Sequence, residues 1–258
     1  MKACDIISAL EEFAPLSAKE EWDNTGLSVG DPSREISAVM LSLDCTEAVI
    51  DEAISRGAEM VVTHHPLIFS PLKQISTEEA IGRMILKAAK NDMVIYSAHT
   101  NMDKVSGGVS GIMAQKLMLR DVQILSAEAD TTYGLGVVGN LPSPLDFEEI
   151  VAVLKTKFGA KVLKCSGNNK GKVSRIALCG GSGSSLIPYA EKAGADLFIT
   201  GDISYHHFIR DGKTAIIDIG HFESESGILD LIKTLLTKKF TNFAVLIAEN
   251  NINPIQYY

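Results

Sequence analysis

The strongest constraint on the fold of this 258-residue chain is an alternation between two periodicities. Short apolar runs recur: ISAVMLSLD (36–44), AEMVVT (58–63), DMVIYSA (92–98), KVSRIALCG (172–180), ADLFIT (195–200) and KTAIIDIG (213–220). Each is the length of a buried strand and rich in Val, Ile and Leu. Between several of them lie amphipathic stretches at roughly 46–56, 78–90, 186–193 and 224–239, and Ile6, Ile7, Leu10 and Phe13 make a helical stripe near the start. Strands alternating with helices predict an α/β protein with a mainly parallel sheet flanked by helices. The segment TTYGLGVVGNLPSPLDFEEIVAVLKTKFG breaks the pattern with glycines and two prolines before a helix. It predicts a second α/β unit over 127–221, with 1–126 and 222–258 forming the first.

Charge and cysteine usage narrow the function. Asp and Glu exceed Lys and Arg by eight, against a protein that coats nucleic acid or a membrane surface, since both need a basic face. Nearly half the residues are apolar, enough for a sizeable core. Cys4, Cys45, Cys165 and Cys179 are scattered, with no C-x-x-C pair. They suit a reducing compartment and read as small core residues, not nucleophiles. Glu11 and Glu12 interrupt any signal-like apolar region, and no segment is long enough to span a bilayer. A cytoplasmic protein is expected.

Polar residues collect just past the strands. RGAEMVVTHH (56–65) resembles AGADLFITGD (193–202), and each copy leads through a helical stretch and another strand to H-x-x-x-[D/E]. The first gives His99 and Asp103, the second His221 and Glu225. Ligands in open α/β sheets sit beyond the carboxyl ends of strands. His64, His65, Asp103, His221 and Glu225 together offer the imidazole and carboxylate donors wanted by Zn, Mn, Fe, Co or Ni. Five ligands suit two centres with one shared carboxylate. Pro66 holds His65 extended, so His64 and His65 could diverge to two ions about 3.5–4 Å apart. Taken singly, each is as readily a hydrogen-bonded structural histidine or a helix-start acid favoured by the dipole.

The blocks EEWDNTGLSVGDP (20–32), VVTHHPLIFSPLK (61–73), YSAHTNMD (96–103), GGSGSS (180–185), TGDISYHH (200–207) and IDIGHFESE (217–225) resemble, in order, those of the GTP cyclohydrolase 1 type 2 homologue family, also called the NIF-three-like family. The resemblance covers nearly the whole chain, which is similar to the short form without an inserted domain. It implies two interlinked α/β units per subunit and a toroidal homohexamer. It also implies two divalent metal ions per subunit on the same five ligands, with Glu225 as the bridge. His99 and His206 match family positions that are not ligands. They are candidates for orienting ligands or moving protons, or are structural histidines.

Weaker candidates for substrate binding are Trp22, Asp23 and Asn24, in a polar loop that could equally be anchored to the core, and Ser182 and Gly183. CGGSGSS (179–185) lacks the P-loop ending and the G-x-G-x-x-G spacing. It reads as a tight strand-to-helix turn, with phosphate cradling the minority reading. Two ions sharing a water would lower its pKa from 15.7 toward about 7, which makes hydrolysis of a nucleotide-like small substrate the default reaction class. If the cyclohydrolase name applies, attack falls on C8 of guanine and formate leaves. The other class is a non-catalytic metal-binding scaffold or adaptor with protein partners. A ring that encircles nucleic acid is disfavoured by the acidic balance.

Overall fold

The computed structural model describes residues 1–129, 131–167, 171–209 and 211–257. It is a mixed α/β protein that divides into two compact units. Unit 1 holds Met1–Met102 and Ile228–Pro254, and unit 2 holds Asp103–Gly227 and Ile255–Tyr258.

Unit 1 is built on a five-stranded sheet. Its strands are β1 (Gly26–Val29), β2 (Ala38–Ser42), β3 (Met60–Thr63), β4 (Val94–Ser97) and β11 (Ala244–Ile247), in the order β1-β4-β3-β2-β11. All neighbours are parallel except β1, which runs antiparallel along β4. Every residue of β2, β3 and β4 is buried, because helices cover both faces. On one face α2 (Glu47–Ser55) and α3 (Ala80–Lys90) pack Val49, Ile50, Ile85 and Ala88 against Met40, Val61 and Ile95. Thr46 starts α2 by accepting a hydrogen bond from the Val49 N–H, a cap typically worth about 1 kcal/mol. Helices α1 (Ala3–Phe13) and α9 (Ile228–Lys239) pack on each other, and α9 lies along β2 and β11.

Register in this sheet sets the positions of the residues just past the strand ends. Ser42, Thr63 and Ser97 lie side by side across β2, β3 and β4. Two residues further on come Asp44, His65 and His99, so the parallel ladder delivers three polar side chains to one edge.

Unit 2 is built on a six-stranded sheet. Its strands are β5 (Arg120–Ala127), β6 (Gly134–Asp146), β7 (Lys164–Cys165), β8 (Lys172–Ser182), β9 (Leu197–Gly201) and β10 (Ala215–Asp218), in the order β5-β6-β8-β9-β10-β7. Only β8-β9 and β9-β10 are parallel. The other three pairings are antiparallel, so the mainly parallel expectation describes the sheet of unit 1, and this second sheet is mixed. The long strand β6 carries Pro142 and Pro144, and its pairing with β8 breaks register between Asn140 and Leu145. A proline has no N–H to give a ladder, so it sits where the ladder is interrupted. Alternate residues of β8 face opposite cores. Ile176 and Leu178 meet α5 (Val109–Lys116) and α6 (Phe147–Phe158), while Ala177 and Cys179 meet α7 (Ile187–Lys192). Two short helices complete the chain: α4 (Thr100–Lys104), at the first division between the units, and α8 (His221–Glu225) in unit 2. Among the described residues no helix is long and apolar enough to cross a membrane.

The four cysteines are free thiols. Cys45 and Cys179 are buried as expected, whereas Cys165 is exposed on β7. Burial, with help from Asp44, pushes the Cys45 thiol up to about 12. Burial, with the Asp103 and Glu225 carboxylates, pushes Cys179 up as well. Neither is a thiolate at neutral pH, which fits a packing role.

Glu52 anchors the segment after β11. Its carboxylate accepts from the backbone N–H groups of Glu249 and Asn250 and from the Asn250 amide, and it pairs with Arg56. Burial opposes its charge, yet these bonds hold its pKa at about 2, below the ordinary 4.5. A depressed carboxylate stabilises the fold above its unfolded pKa and loses that effect as pH falls through the folded one. Glu52→Gln should therefore melt roughly 2–4 °C below wild type at pH 7. In thermal scans the gap should close as pH falls from about 4.5 toward about 2.

Candidate metal centre

In unit 1, three imidazoles gather beyond β3 and β4. His64, His65 and His99 each bring a ring nitrogen within 4.8 Å of the others. Their ring centroids lie 5.0 to 5.5 Å apart. His64 is fully buried, and His65 and His99 are half-buried. The strand end shapes this directly. The N–H groups of His64 and His65 still bond to Ser42 and Leu43 carbonyls, so the chain runs extended past Thr63. The Thr63 hydroxyl then donates to the His65 carbonyl over 2.7 Å.

What decides the chemistry of these rings is the partner of each Nδ1. His64 Nδ1 lies 2.8 Å from the Ala98 carbonyl, His65 Nδ1 2.9 Å from Asp44 Oδ1, and His99 Nδ1 2.9 Å from Asp23 Oδ1. A carbonyl or carboxylate oxygen only accepts, so each Nδ1 donates its proton. In the neutral ring Nε2 then carries the lone pair, which is the tautomer a metal ligand needs. Asp23 is a firm support. It is buried and accepts from His99, from the Thr100 backbone N–H, and from the hydroxyls of Thr25 and Thr100. Burial opposes its charge, but these bonds hold its carboxyl well below the usual carboxylate range.

Unit 2 uses the same device. Beyond β9, Asp202 Oδ2 lies 2.7 Å from His221 Nδ1, and His221 Nε2 lies 3.0 Å from Glu225 Oε2. Glu225 is buried and Asp103 half-buried, and their carboxylate oxygens approach within 4.8 Å of each other. The loop before His221 is fixed by buried Asp218, which accepts from the N–H groups of Ile203 and Gly220 and from Lys164.

The glycine stretch after β8 has its explanation here. A Cβ on Gly181, whose φ is +60°, would lie 2.2 Å from Glu225 Oε1. The Gly181 N–H donates to Ser224 Oγ over 2.9 Å. The stretch lets α8 lie against the strand end, a close-approach role in line with a tight turn.

Of the other candidates, Trp22 and Asn24 are exposed in unit 1 beside buried Asp23. Ser182 is exposed and Gly183 buried at the end of β8. His206 is exposed on the short turn Tyr205–Phe208 of unit 2, with its ring edge-on to Tyr205. Asp44, Ala98 and Asp202 escaped the sequence reading, although an acid directly after an apolar run (SLD, ITGD) was a usable signal for two of them.

The donor set fits a transition metal. Imidazole and carboxylate are its ordinary ligands, and their outer hydrogen bonds are in place. Removing such a bond typically costs 10–100-fold in metal affinity. Asp202→Asn and Asp44→Asn should therefore each weaken Zn or Mn binding by about 10–100-fold in calorimetric titrations. Gly181→Ala forces an L-residue into the left-handed region, at about 1–2 kcal/mol, and pushes Glu225 aside. It should weaken metal binding while the circular dichroism spectrum is kept.

Known proteins resemble this chain over its length. The model for Duf34/NIF3 (NGG1p interacting factor 3) matches residues 1–254. A GTP cyclohydrolase 1 type 2 homolog of Clostridium perfringens is 42% identical over 233 residues, covering 89% of this chain and 88% of that protein. One from Clostridium acetobutylicum is 36% identical over 265 residues, covering 100% and 99%. The crystal structure of the Staphylococcus aureus hypothetical protein SA1388 superposes with a TM-score of 0.91 at 29% identity, covering 100% of this chain and 99% of that one.

Proposed function

This chain belongs to the Duf34/NIF3 family, and from that premise we propose that it holds two divalent metal ions and uses them to hydrolyse a nucleotide-like small substrate. The proposed ligands are His64, His65, Asp103, His221 and Glu225. The observation that carries the proposal is the shared state of the three ligand histidines. Each has Nδ1 given to an acceptor, which makes Nε2 the coordinating nitrogen. His221 Nε2 faces Glu225 Oε2 at 3.0 Å, where a bound ion would take the place of a shared proton.

Bound ions of this kind supply Lewis acidity and lower the pKa of a shared water from 15.7 toward about 7. The chain's own residues do the positioning. The Ala98 carbonyl and Asp44 set the planes of His64 and His65, and Asp202 sets that of His221. Glu225, buried with one oxygen 3.0 Å from His221 Nε2, would offer its two carboxylate oxygens to the ions. Asp103 follows His99 by one turn of chain, so α4 joins a proposed ligand to the histidine cluster by covalent connection. His99 completes the wall of imidazoles beside His64 and His65. The buried thiols of Cys45 and Cys179 are held protonated and supply no competing nucleophile.

A non-catalytic scaffold built on the same ions is the alternative outcome of the test. Elemental analysis should find close to two ions per chain, and His65→Ala should lose metal; one ion or none contradicts the dinuclear assignment. With metal loaded, a screen of nucleotides and phosphoesters should reveal turnover. Glu225→Gln should lower it at least about 100-fold, the scale of a lost electrostatic catalytic group. Full metal loading without turnover on any substrate favours the scaffold. Under the same proposal the working form is a homohexamer, a mass that light scattering measures directly.

A further inference from the structure

Beside the histidine cluster of unit 1 stands a pair of aromatic rings with no place among the proposed ligands. Trp22 is 60% exposed and Phe69 56%. Single exposed apolar residues are ordinary, but a touching aromatic pair on fixed backbone is not. The two centroids are 5.7 Å apart with the planes inclined at 48°. The rings therefore touch without covering each other's faces. Each also borders His99 edge-on, at 6.1 Å for Trp22 and 6.4 Å for Phe69. The file of rings then continues from His99 to His64 and His65.

The backbone on both sides is held. Asp23, next to Trp22, is locked by bonds from His99, Thr25 and Thr100. The Asn24 amide donates to the Ile68 carbonyl over 2.7 Å. That bond ties the loop of Trp22 to the residue before Phe69. Two large rings with few rotatable bonds, presented on fixed loops, lose little entropy when a third ring covers them.

We propose that Trp22 and Phe69 form a stacking platform for a planar heteroaromatic ring of nucleobase size, which lies flat on one of the two inclined rings and packs against the other, with its edge turned toward His99 and the imidazoles behind it. Stacking recognises the π-face of a ring and tolerates its substituents. An aliphatic or sugar-phosphate ligand gains none of it. What happens at the ring's edge rests on the function proposed above; the platform itself does not.

Trp22 is the only tryptophan of the chain, so its emission reports on the platform directly. The full chain, stripped of metal, is titrated with guanosine, adenosine and cytidine nucleotides, and with ribose 5-phosphate and inorganic triphosphate as ring-free controls. Nucleotides should quench Trp22 and the controls should not. Phe69→Leu should weaken nucleotide binding about five- to a hundredfold, and Phe69→Tyr should restore it. Calorimetry on Trp22→Leu should show a loss of the same size. Equal quenching by the ring-free controls overturns the platform. So does unchanged affinity in Phe69→Leu, or silence with every base. So does a change in oligomeric mass in Trp22→Leu with no effect of nucleotide on the wild type, which makes the pair a contact between copies. Quenching in a protein that binds no metal keeps the platform and sinks the metal assignment; two ions per chain without quenching does the reverse.

Discussion

The candidate metal centre depends on one kind of hydrogen bond, from a histidine Nδ1–H to an oxygen that can only accept. It occurs at His64, His65, His99 and His221, with Ala98, Asp44, Asp23 and Asp202 as acceptors. An imidazole without such a partner is free to rotate and to exchange tautomers. With it, the ring plane is fixed and, in the neutral ring, the lone pair sits on Nε2. A buried imidazole such as His64 would otherwise be a poor choice at a strand end, because an unsatisfied polar group in the interior costs stability.

The sheets explain why the acceptors are where they are. In unit 1 the parallel register of Ser42, Thr63 and Ser97 brings Asp44 beside His65 and sets His99 in the neighbouring position. In unit 2, Thr200 and Asp218 are paired across β9 and β10. Asp202 and His221 follow within a few residues. Parallel strands with common register end together, so short polar tails on adjacent strands meet without long loops. The glycines of α8's neighbourhood serve the same end, as Gly181 leaves the space that Glu225 Oε1 occupies.

Much of this was legible in the sequence. The six apolar runs are strands β2, β3, β4, β8, β9 and β10, because buried strands need continuous apolar residues. His64 and His65 stood out because imidazoles rarely end such a run. The structure groups His99 with them, although the motif reading set it apart from the ligands. Strand β5 was hidden by its mostly exposed first half, and β6 by glycines and prolines that a register break accommodates. Phe69 was invisible because its meaning comes from Trp22, 47 positions away in the chain. The acceptors Asp44 and Asp202 looked like ordinary strand-end acids, since a one-dimensional reading does not pair an aspartate with a ring at the end of the neighbouring strand.

The central claim is that imidazole nitrogens and carboxylates of this chain share two neighbouring ions. X-ray absorption fine structure at the metal edge of the loaded protein tests it most directly. The account predicts imidazole scattering around the absorbing ion and a metal–metal vector of about 3.5–4 Å. An oxygen-only shell with no imidazole signature, or a lone ion with no metal neighbour, would contradict it.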